Sequence, residues 1–230
     1  MIVNAFRTRI FNKNDNLFEF IKESIDEVPE KSILLITSKI VALSQGRTIS
    51  RDAVSKKELV LKEADEVLGE SYKTYLTIKE GILIPAAGID ESNAQEEYIL
   101  WPEDSYKISK ELWIALKEHY KIKDFGIVLT DSRCTPLRQG VTGVAVAHWG
   151  FKGILNHIGK EDLFGRLIEM STTNVADCLT SAAILVMGES NESSPLALIS
   201  EVPQIEFQET VDRNELIISR ENDIFAPLFK

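Results

Sequence analysis

Two short apolar runs in this chain stop at aspartates set in polar, turn-forming clusters. Ile82-Leu83-Ile84-Pro85-Ala86-Ala87-Gly88-Ile89 leads into Asp90-Glu91-Ser92-Asn93, and Phe125-Gly126-Ile127-Val128-Leu129-Thr130 leads into Asp131-Ser132-Arg133. The interior of a buried strand is too apolar to hold a carboxylate cheaply, but the strand's end can present one to a cleft, oriented by the sheet behind it. The fold must therefore bury both runs and bring both aspartates to its rim. On neighbouring strand ends the pair would make a site for a hard cation such as magnesium or manganese. Taken singly, each is also what an aspartate does in an ordinary turn.

Periodicity places the remaining elements. Met1 to Phe6 reads as a strand, and Asp15 or Asn16 starts a helix with Leu17, Ile21 and Ile25 on one face. Ser32 to Thr37 is a continuous apolar strand that gives way at Thr37-Ser38 to a brief helix ended by Gly46, a turn of the kind that offers backbone N–H groups to phosphate. Ser55 to Leu68 reads as a charged helix closed by Gly69. Strands follow at Tyr75–Ile78, Gly81–Ile84 and Tyr98–Trp101, then a helix from Ser105 to Tyr120. Beyond the Phe125 run lie a small apolar stretch from Val141 to Ala147 and a helix starting near Thr172 or Thr173. That helix is expected to turn Val175, Cys178, Leu179, Ala182 and Leu185 inward and to stop at Gly188. Pro195–Ile199 and Leu216–Ser219 read as closing strands. Helices and strands mix without a sustained β-α-β rhythm, so the class is α+β, with mixed sheets and packed helices. No linker cuts the chain, and residues 1–230 read as a single domain, at most two intimately packed lobes.

Composition removes several function classes. With 44% hydrophobic residues the chain can bury a substantial core, and its two cysteines, Cys134 and Cys178, imply no disulfide framework. No apolar run approaches the ~20 residues that span a bilayer, and no charged-then-apolar leader opens the sequence, so a cytoplasmic protein is expected. Net charge is −10, from 36 acidic against 26 basic residues, which is unfavourable for holding a polyanionic duplex. Nucleic acid is excluded as the expected partner. Small anionic substrates are not, because local arginines and bound cations reverse the field inside one cleft.

Further blocks accompany the two aspartate clusters: Ile33-Leu34-Leu35-Ile36-Thr37-Ser38-Lys39-Ile40-Val41 with Gln45-Gly46-Arg47, Asp162-Leu163-Phe164-Gly165-Arg166, Val175-Ala176-Asp177, and Met187-Gly188-Glu189. In this order the blocks resemble the coenzyme F420-0:gamma-glutamyl ligase family, which joins glutamate to an acid by an amide bond at the expense of a nucleoside triphosphate. The phrases Ile-Thr-Ser-Lys-Ile-Val and Ile-Leu-Trp-Pro also resemble a bacterial branch of that family associated with folate metabolism. The chain departs from the coenzyme-type pattern in three places: Leu43 stands for a lysine near the nucleotide, Gln45 for a glutamate, and Arg133-Cys134-Thr135-Pro136 for a glycine-bearing turn.

The resemblance implies a two-lobed ligase, an intertwined homodimer, that uses ATP or GTP to activate an acceptor carboxylate as an acyl phosphate and lets the amine of L-glutamate displace phosphate. It implies one or two Mg²⁺ or Mn²⁺ ions on Asp90, Asp131, Ser132 and Glu189, with K⁺ as a further admissible cation. Nucleotide contacts carry over to Ser38, Lys39, Asn93, Gly188, Glu189 and Ser190. Arg7, Thr8 and Arg9 replace a family segment and would supply the charge Leu43 lacks. Arg133, Arg138 and Arg166 could hold the carboxylates of glutamate or of the acceptor, either a folate or the F420 precursor, since guanidinium grips carboxylate bidentately. Asp90, Asp131, Arg133 and Arg138 are thus the expected catalytic set. His148 and His157 lack zinc-like spacing, Cys134 lacks a base, and Trp101, Trp113 and Trp149 read as core or interface. A binding module that has lost activity and a metal-dependent phosphoesterase are the rivals.

Overall fold

The run Ser32–Thr37 carries no polar face because both of its faces are covered. This strand, β2 in a chain that opens with β1 (Ile2–Phe6) and α1 (Leu17–Ser24), passes at Thr37 directly into α2 (Ser38–Ser44). The chain continues through β3 (Thr48–Ser50), α3 (Lys56–Glu63), β4 (Glu66–Ser71), β5 (Thr74–Lys79), β6 (Ile82–Pro85), β7 (Glu97–Ile99) and α4 (Ser105–Tyr120). It ends with β8 (Phe125–Cys134), β9 (Val141–Trp149), β10 (Ile154–Asn156), β11 (Thr172–Asn174), α5 (Val175–Met187) and β12 (Leu196–Ser200). The structure is a computed structural model that describes residues 1–94 and 96–229.

A five-stranded sheet in the order β1-β12-β2-β8-β9 is the backbone of the molecule. Along β2, alternate side chains go to opposite layers, as the strand period of two requires. Leu34 and Ile36 join Ile127, Leu129, Leu196 and Leu198 under Phe20, Ile21, Val41, Leu112, Trp113 and Leu116 of α1, α2 and α4. Ile33 and Leu35 join Val128, Ala145, Ala197 and Ile199 under Val175, Ala176, Leu179 and Ala183 of α5. β2 and β8 run parallel, with Thr37 paired to Thr130, whereas the other ladders of this sheet are antiparallel. β2 stops at Thr37, while β8 runs on to Cys134 with only β9 beside it, so Ser38 and Asp131 lie side by side where the β2 edge of β8 opens.

A second, smaller core packs β3 and β7, and the β4-β5-β6 sheet, around Leu59, Val60, Ala86, Ile89, Tyr98 and Leu100. α3 begins at a capping box in which Ser55 and Glu58 satisfy each other's backbone N–H groups. It ends at Glu63, not at Leu68. Glu66–Ser71 is the exposed edge strand β4, paired with β5, and its charges belong to solvent-facing positions rather than to a helix surface. Mixed sheets and the five α-helices among the described residues make the class α+β, as expected.

Three further expectations are corrected. Thr172 and Thr173 lie in a short strand, and α5 starts after Asn174, whose side chain accepts from the Asp177 N–H. The inward face of α5 carries Val175, Ala176, Leu179, Thr180, Ala183 and Met187, while Cys178 and Leu185 are exposed. Leu216–Ser219 is not a strand. Its segment belongs to a C-terminal strap with no ladder of its own, docked by single side chains: Glu209 on Lys117, Ile217 over Gly81, Arg220 on Glu66. Among the described residues no helix is long and apolar enough to cross a membrane.

Glu215 fastens that strap. His148 is fully buried, and its ring N–H donates to Glu215 Oε2 at 3.0 Å, while the backbone N–H groups of Gly153 and Ile154 donate at 3.0 and 3.4 Å. Burial works to raise the Glu215 carboxyl, but the His148 bond and the two N–H groups outweigh it and hold the pKa below its ordinary 4.5. A depressed carboxylate stabilises the fold above its unfolded pKa and loses that contribution as pH falls through the folded value. Glu215→Ala is therefore expected to cost about 1–3 kcal/mol at pH 7. The deficit should shrink below about pH 4.5, where wild-type Glu215 also protonates. Urea titrations of both proteins from pH 7 to 3 check it, and parallel curves offset by nothing would refute it.

Candidate active site

The parallel β2–β8 pair and the turn after β6 open into one cavity of about 580 Å³. Thr8, Arg9, Ser38, Lys39, Leu43, Asp90, Asn93, Trp101, Asp131, Ser132 and the whole Gly188–Pro195 loop line it. Most residues singled out from the sequence therefore meet in one place, although they come from segments as far apart as Thr8 and Ser190.

Asp131 sits deepest. Trp101 donates its indole N–H to Asp131 Oδ2, the Ser38 hydroxyl donates to the same oxygen at 3.2 Å, and the Ser132 N–H donates to Oδ1 at 2.7 Å. Burial pushes the Asp131 carboxyl up to about 6; these three donors oppose the shift, and the charge of Asp90 adds to it. Trp101's part was not legible from the residues, since a tryptophan before a proline reads as core. The turn after β6 aims it: Ala86 and Ala87 adopt positive φ, and Gly88, at φ +72°, comes so close to the indole that an added Cβ would lie 2.3 Å from Nε1.

Asp90 is held differently. Lys39 Nζ stands 2.6 Å from Oδ2, Ser92 Oγ donates to the same oxygen at 3.0 Å, and the Ser92 N–H donates to Oδ1 at 2.7 Å. Burial would raise this carboxyl, but the Lys39 ammonium and the Ser92 donors prevail and hold its pKa below the usual value. Lys39 also donates to the Ser92 hydroxyl and carbonyl at 2.9 and 3.2 Å. Glu189, the third acid, is raised mainly by burial, with Asp90 and Glu192 reinforcing and Ser132 and Lys39 opposing.

The loop after α5 is braced rather than loose. Glu192 Oε2 accepts from the Ser190 N–H at 2.8 Å, Asn93 donates to the Ser190 carbonyl at 3.1 Å, and the Ser193 and Pro195 carbonyls accept from the Thr8 and Thr37 N–H groups. Gly188, at φ +82°, lets Glu192 fold back where a Cβ would collide.

Several expected residues are occupied elsewhere. Arg133 donates to Asp177 at 3.1 Å, and Asp177 also accepts from the Ala145 N–H, so this guanidinium ties β8 to α5 and β9. Arg138 is exposed on the loop beyond β8, and neither arginine lines the cavity. Arg9 does line it, yet its charge is answered by Asp15 at 2.5 Å and Glu23 at 3.1 Å; Arg7 is exposed outside the cavity. Gln45 bonds reciprocally with the Glu103 backbone, donating at 2.8 Å and accepting at 2.9 Å. A glutamate could accept there but not donate, which accounts for an amide at this position.

Chemically, the cavity gathers hard oxygen donors: the Asp90, Asp131 and Glu189 carboxylates and the Ser132 hydroxyl. Burial and mutual repulsion raise two of the three acids, and a divalent cation relieves both effects. Among the described residues no three His, Cys, Asp or Glu side chains already stand at metal-binding spacing. The donor set suits Mg²⁺ or Mn²⁺ in kind, with Asp90 engaged by Lys39 in the meantime.

Comparison with known proteins supplies the last observation. Residues 5–201 match the family model described as F420-0:Gamma-glutamyl ligase. Three curated proteins named "Coenzyme F420:L-glutamate ligase" are similar along most of their lengths. The chain is 31% identical to the one from Methanopyrus kandleri, covering 92% of this chain and 91% of that protein. It is 30% identical to the one from Methanosarcina mazei, covering 83% and 81%, and 28% identical to the one from Methanocaldococcus jannaschii, covering 91% and 90%.

Proposed function

The chain belongs to the F420-0:gamma-glutamyl ligase family, and from that premise we propose that it forms an amide bond between L-glutamate and a carboxylate acceptor in the Asp90–Asp131 cavity, using ATP or GTP. The observation that carries the reading is the convergence of Asp90, Asp131, Ser132 and Glu189 with Lys39 and Asn93 on one cavity.

Amide formation in water is uphill, so a nucleotide must drive it. An acceptor carboxylate oxygen attacks the γ-phosphorus, the bond to the β-phosphate oxygen breaks, and a nucleoside diphosphate leaves with an acyl phosphate formed. The glutamate amine, having lost a proton, then attacks the acyl carbon and phosphate departs. Asp90, Asp131, Ser132 and Glu189 would hold Mg²⁺ or Mn²⁺, which when bound neutralises phosphate oxygens. Lys39 and the Asn93 amide face the phosphates, and the braced Gly188–Pro195 loop shields the acyl phosphate from water.

The acceptor is the finer point. Arg133 is tied to Asp177, so a carboxylate grip from the β8 loop falls to Arg138, which lies outside the cavity on the exposed loop after the stiff Thr135-Pro136 turn and makes no ion pair among the described residues. A folate-type acid ends in a carboxylate and suits such a grip. The relatives' names favour the F420 precursor as the second reading. Leu137, Leu163, Phe164, Met170 and Leu185 are exposed apolar side chains whose burial would favour a homodimer. Incubating the pure protein with labelled glutamate, manganese, ATP or GTP, and dihydropteroate, tetrahydrofolate or the F420 precursor tests all of this. Glutamylation of a pteroate or folate is expected. Glutamylation of the F420 precursor alone would overturn the folate reading and keep the ligase; no product with any acceptor would overturn the ligase.

A further inference from the structure

Among the described residues Lys39 is the cation that faces the acidic cluster, because Arg9, the other basic residue lining the cavity, is engaged by Asp15 and Glu23. Its ammonium lies 2.6 Å from Asp90 Oδ2 and holds the Ser92 hydroxyl as well, so a single positive charge stands against Asp90 with Asp131 and Glu189 on the same cavity. Asp90 Oδ2 is held by Lys39 and the Ser92 hydroxyl and Oδ1 by the Ser92 N–H, so a divalent cation that takes Asp90 as a ligand meets the Lys39 ammonium on the same carboxylate. An ammonium and a dication sharing one carboxylate at contact distance repel each other strongly.

We propose that Lys39 is an exchangeable placeholder, neutralising Asp90 in the empty site and moving to the phosphates of the nucleotide when a divalent cation takes Asp90. The idea rests on the ligase reading above and adds to it a coupling between two ligands. The cation must displace Lys39, which lowers its affinity for the empty site. The displaced ammonium then meets the triphosphate, which raises affinity for the nucleotide. Because such coupling is reciprocal, nucleotide also draws the cation in. Lys39 can make the exchange because it sits on the first turn of α2, is only partly exposed on a flexible stem, and lines the cavity itself. A free dication therefore binds poorly alone and well with its nucleotide.

The test uses Mn²⁺ alone, read by electron paramagnetic resonance of free Mn²⁺, with and without a non-hydrolysable triphosphate. Lys39→Met and Lys39→Gln are compared with the wild type after thermal melts establish that each is folded. Both variants are expected to bind Mn²⁺ about 10-fold more tightly than wild type without nucleotide, and to bind the triphosphate about 10-fold more weakly when Mn²⁺ is saturating. A lysine with a merely structural role would not move the two affinities in opposite directions. Unchanged or weaker Mn²⁺ binding in folded variants would overturn the placeholder and leave the cation site standing. No Mn²⁺ binding by any of the three proteins, with or without nucleotide, would overturn the cation site and the placeholder with it.

Discussion

Replacing Asp131 by asparagine is expected to lower ligase turnover by more than ~10²-fold, the scale of removing one strong electrostatic stabiliser, while making the ligand-free protein more stable. The two effects share a cause. Asparagine keeps the shape and can still accept the Trp101 N–H, but it carries no charge for a cation or a phosphoryl group. In the wild type that charge is costly, since burial raises the Asp131 carboxyl to about 6 from 3.8. A carboxyl whose folded pKa is raised binds its proton more tightly in the native state, so stability is lost as pH rises from the unfolded value through the folded one. Above pH 6 the asparagine variant escapes this loss by on the order of 1–3 kcal/mol, and towards pH 4 the advantage disappears. Calorimetric melts of chelator-treated proteins at pH 4 and 7.5, beside the glutamylation assay, check both halves. Near-wild-type turnover in Asp131→Asn would remove Asp131 from the chemistry.

Gly88→Ala is expected to be the most disruptive single-methyl change in the cavity wall. The backbone there is left-handed, which costs an alanine about 1–2 kcal/mol, and the new Cβ would fall 2.3 Å from Trp101 Nε1 and 2.6 Å from its neighbouring ring carbons. The indole is buried and cannot retreat without cost, so overpacking adds about 1–3 kcal/mol. A fall in melting temperature of roughly 5–15 °C follows for a chain of this size, and turnover falls because the indole leaves Asp131. Trp101→Phe should lose the hydrogen bond with less effect on melting. Scanning calorimetry of the two variants separates the contributions; equal melting temperatures for Gly88→Ala and wild type would show the turn to be plastic.

What could be read from the residues was what local chemistry determines. β2 and β8 were legible because a strand covered on both faces has no polar positions to confuse the pattern, and α4 because its apolar side chains keep helical spacing. Glu66–Ser71 was misread because an exposed edge strand needs no apolar alternation, so its charges looked like a continuing helix. Leu216, Ile217 and Ile218 looked like a strand, but Leu216 and Ile217 dock singly against the body of the fold and Ile218 stays exposed. The face of α5 was read one step away from the true one, since its small and apolar residues surround most of the helix. At the cavity, the aspartates showed because each ends a run. Trp101 and the Lys39–Asp90 pair did not, because such contacts join residues 30 and 51 positions apart and leave no periodic trace. The arginines failed to gather for the same reason: a guanidinium's partner is chosen in space, and Arg133 finds Asp177 on α5.

The placing of β12 between β1 and β2 bears on how the protein is made. Synthesis delivers β1 and β2 early, yet the strand that joins them is residues 196–200. Until that segment has left the ribosome, β1 has no neighbour and one edge of β2 lies open, in a run with no charge to guard it. Such edges invite pairing with other chains, and closure through so distant a segment is slow. The nascent polypeptide thus travels most of its length with its central seam unstitched. A product broken off before residue 196 should be a client for chaperones or proteases rather than a smaller working protein.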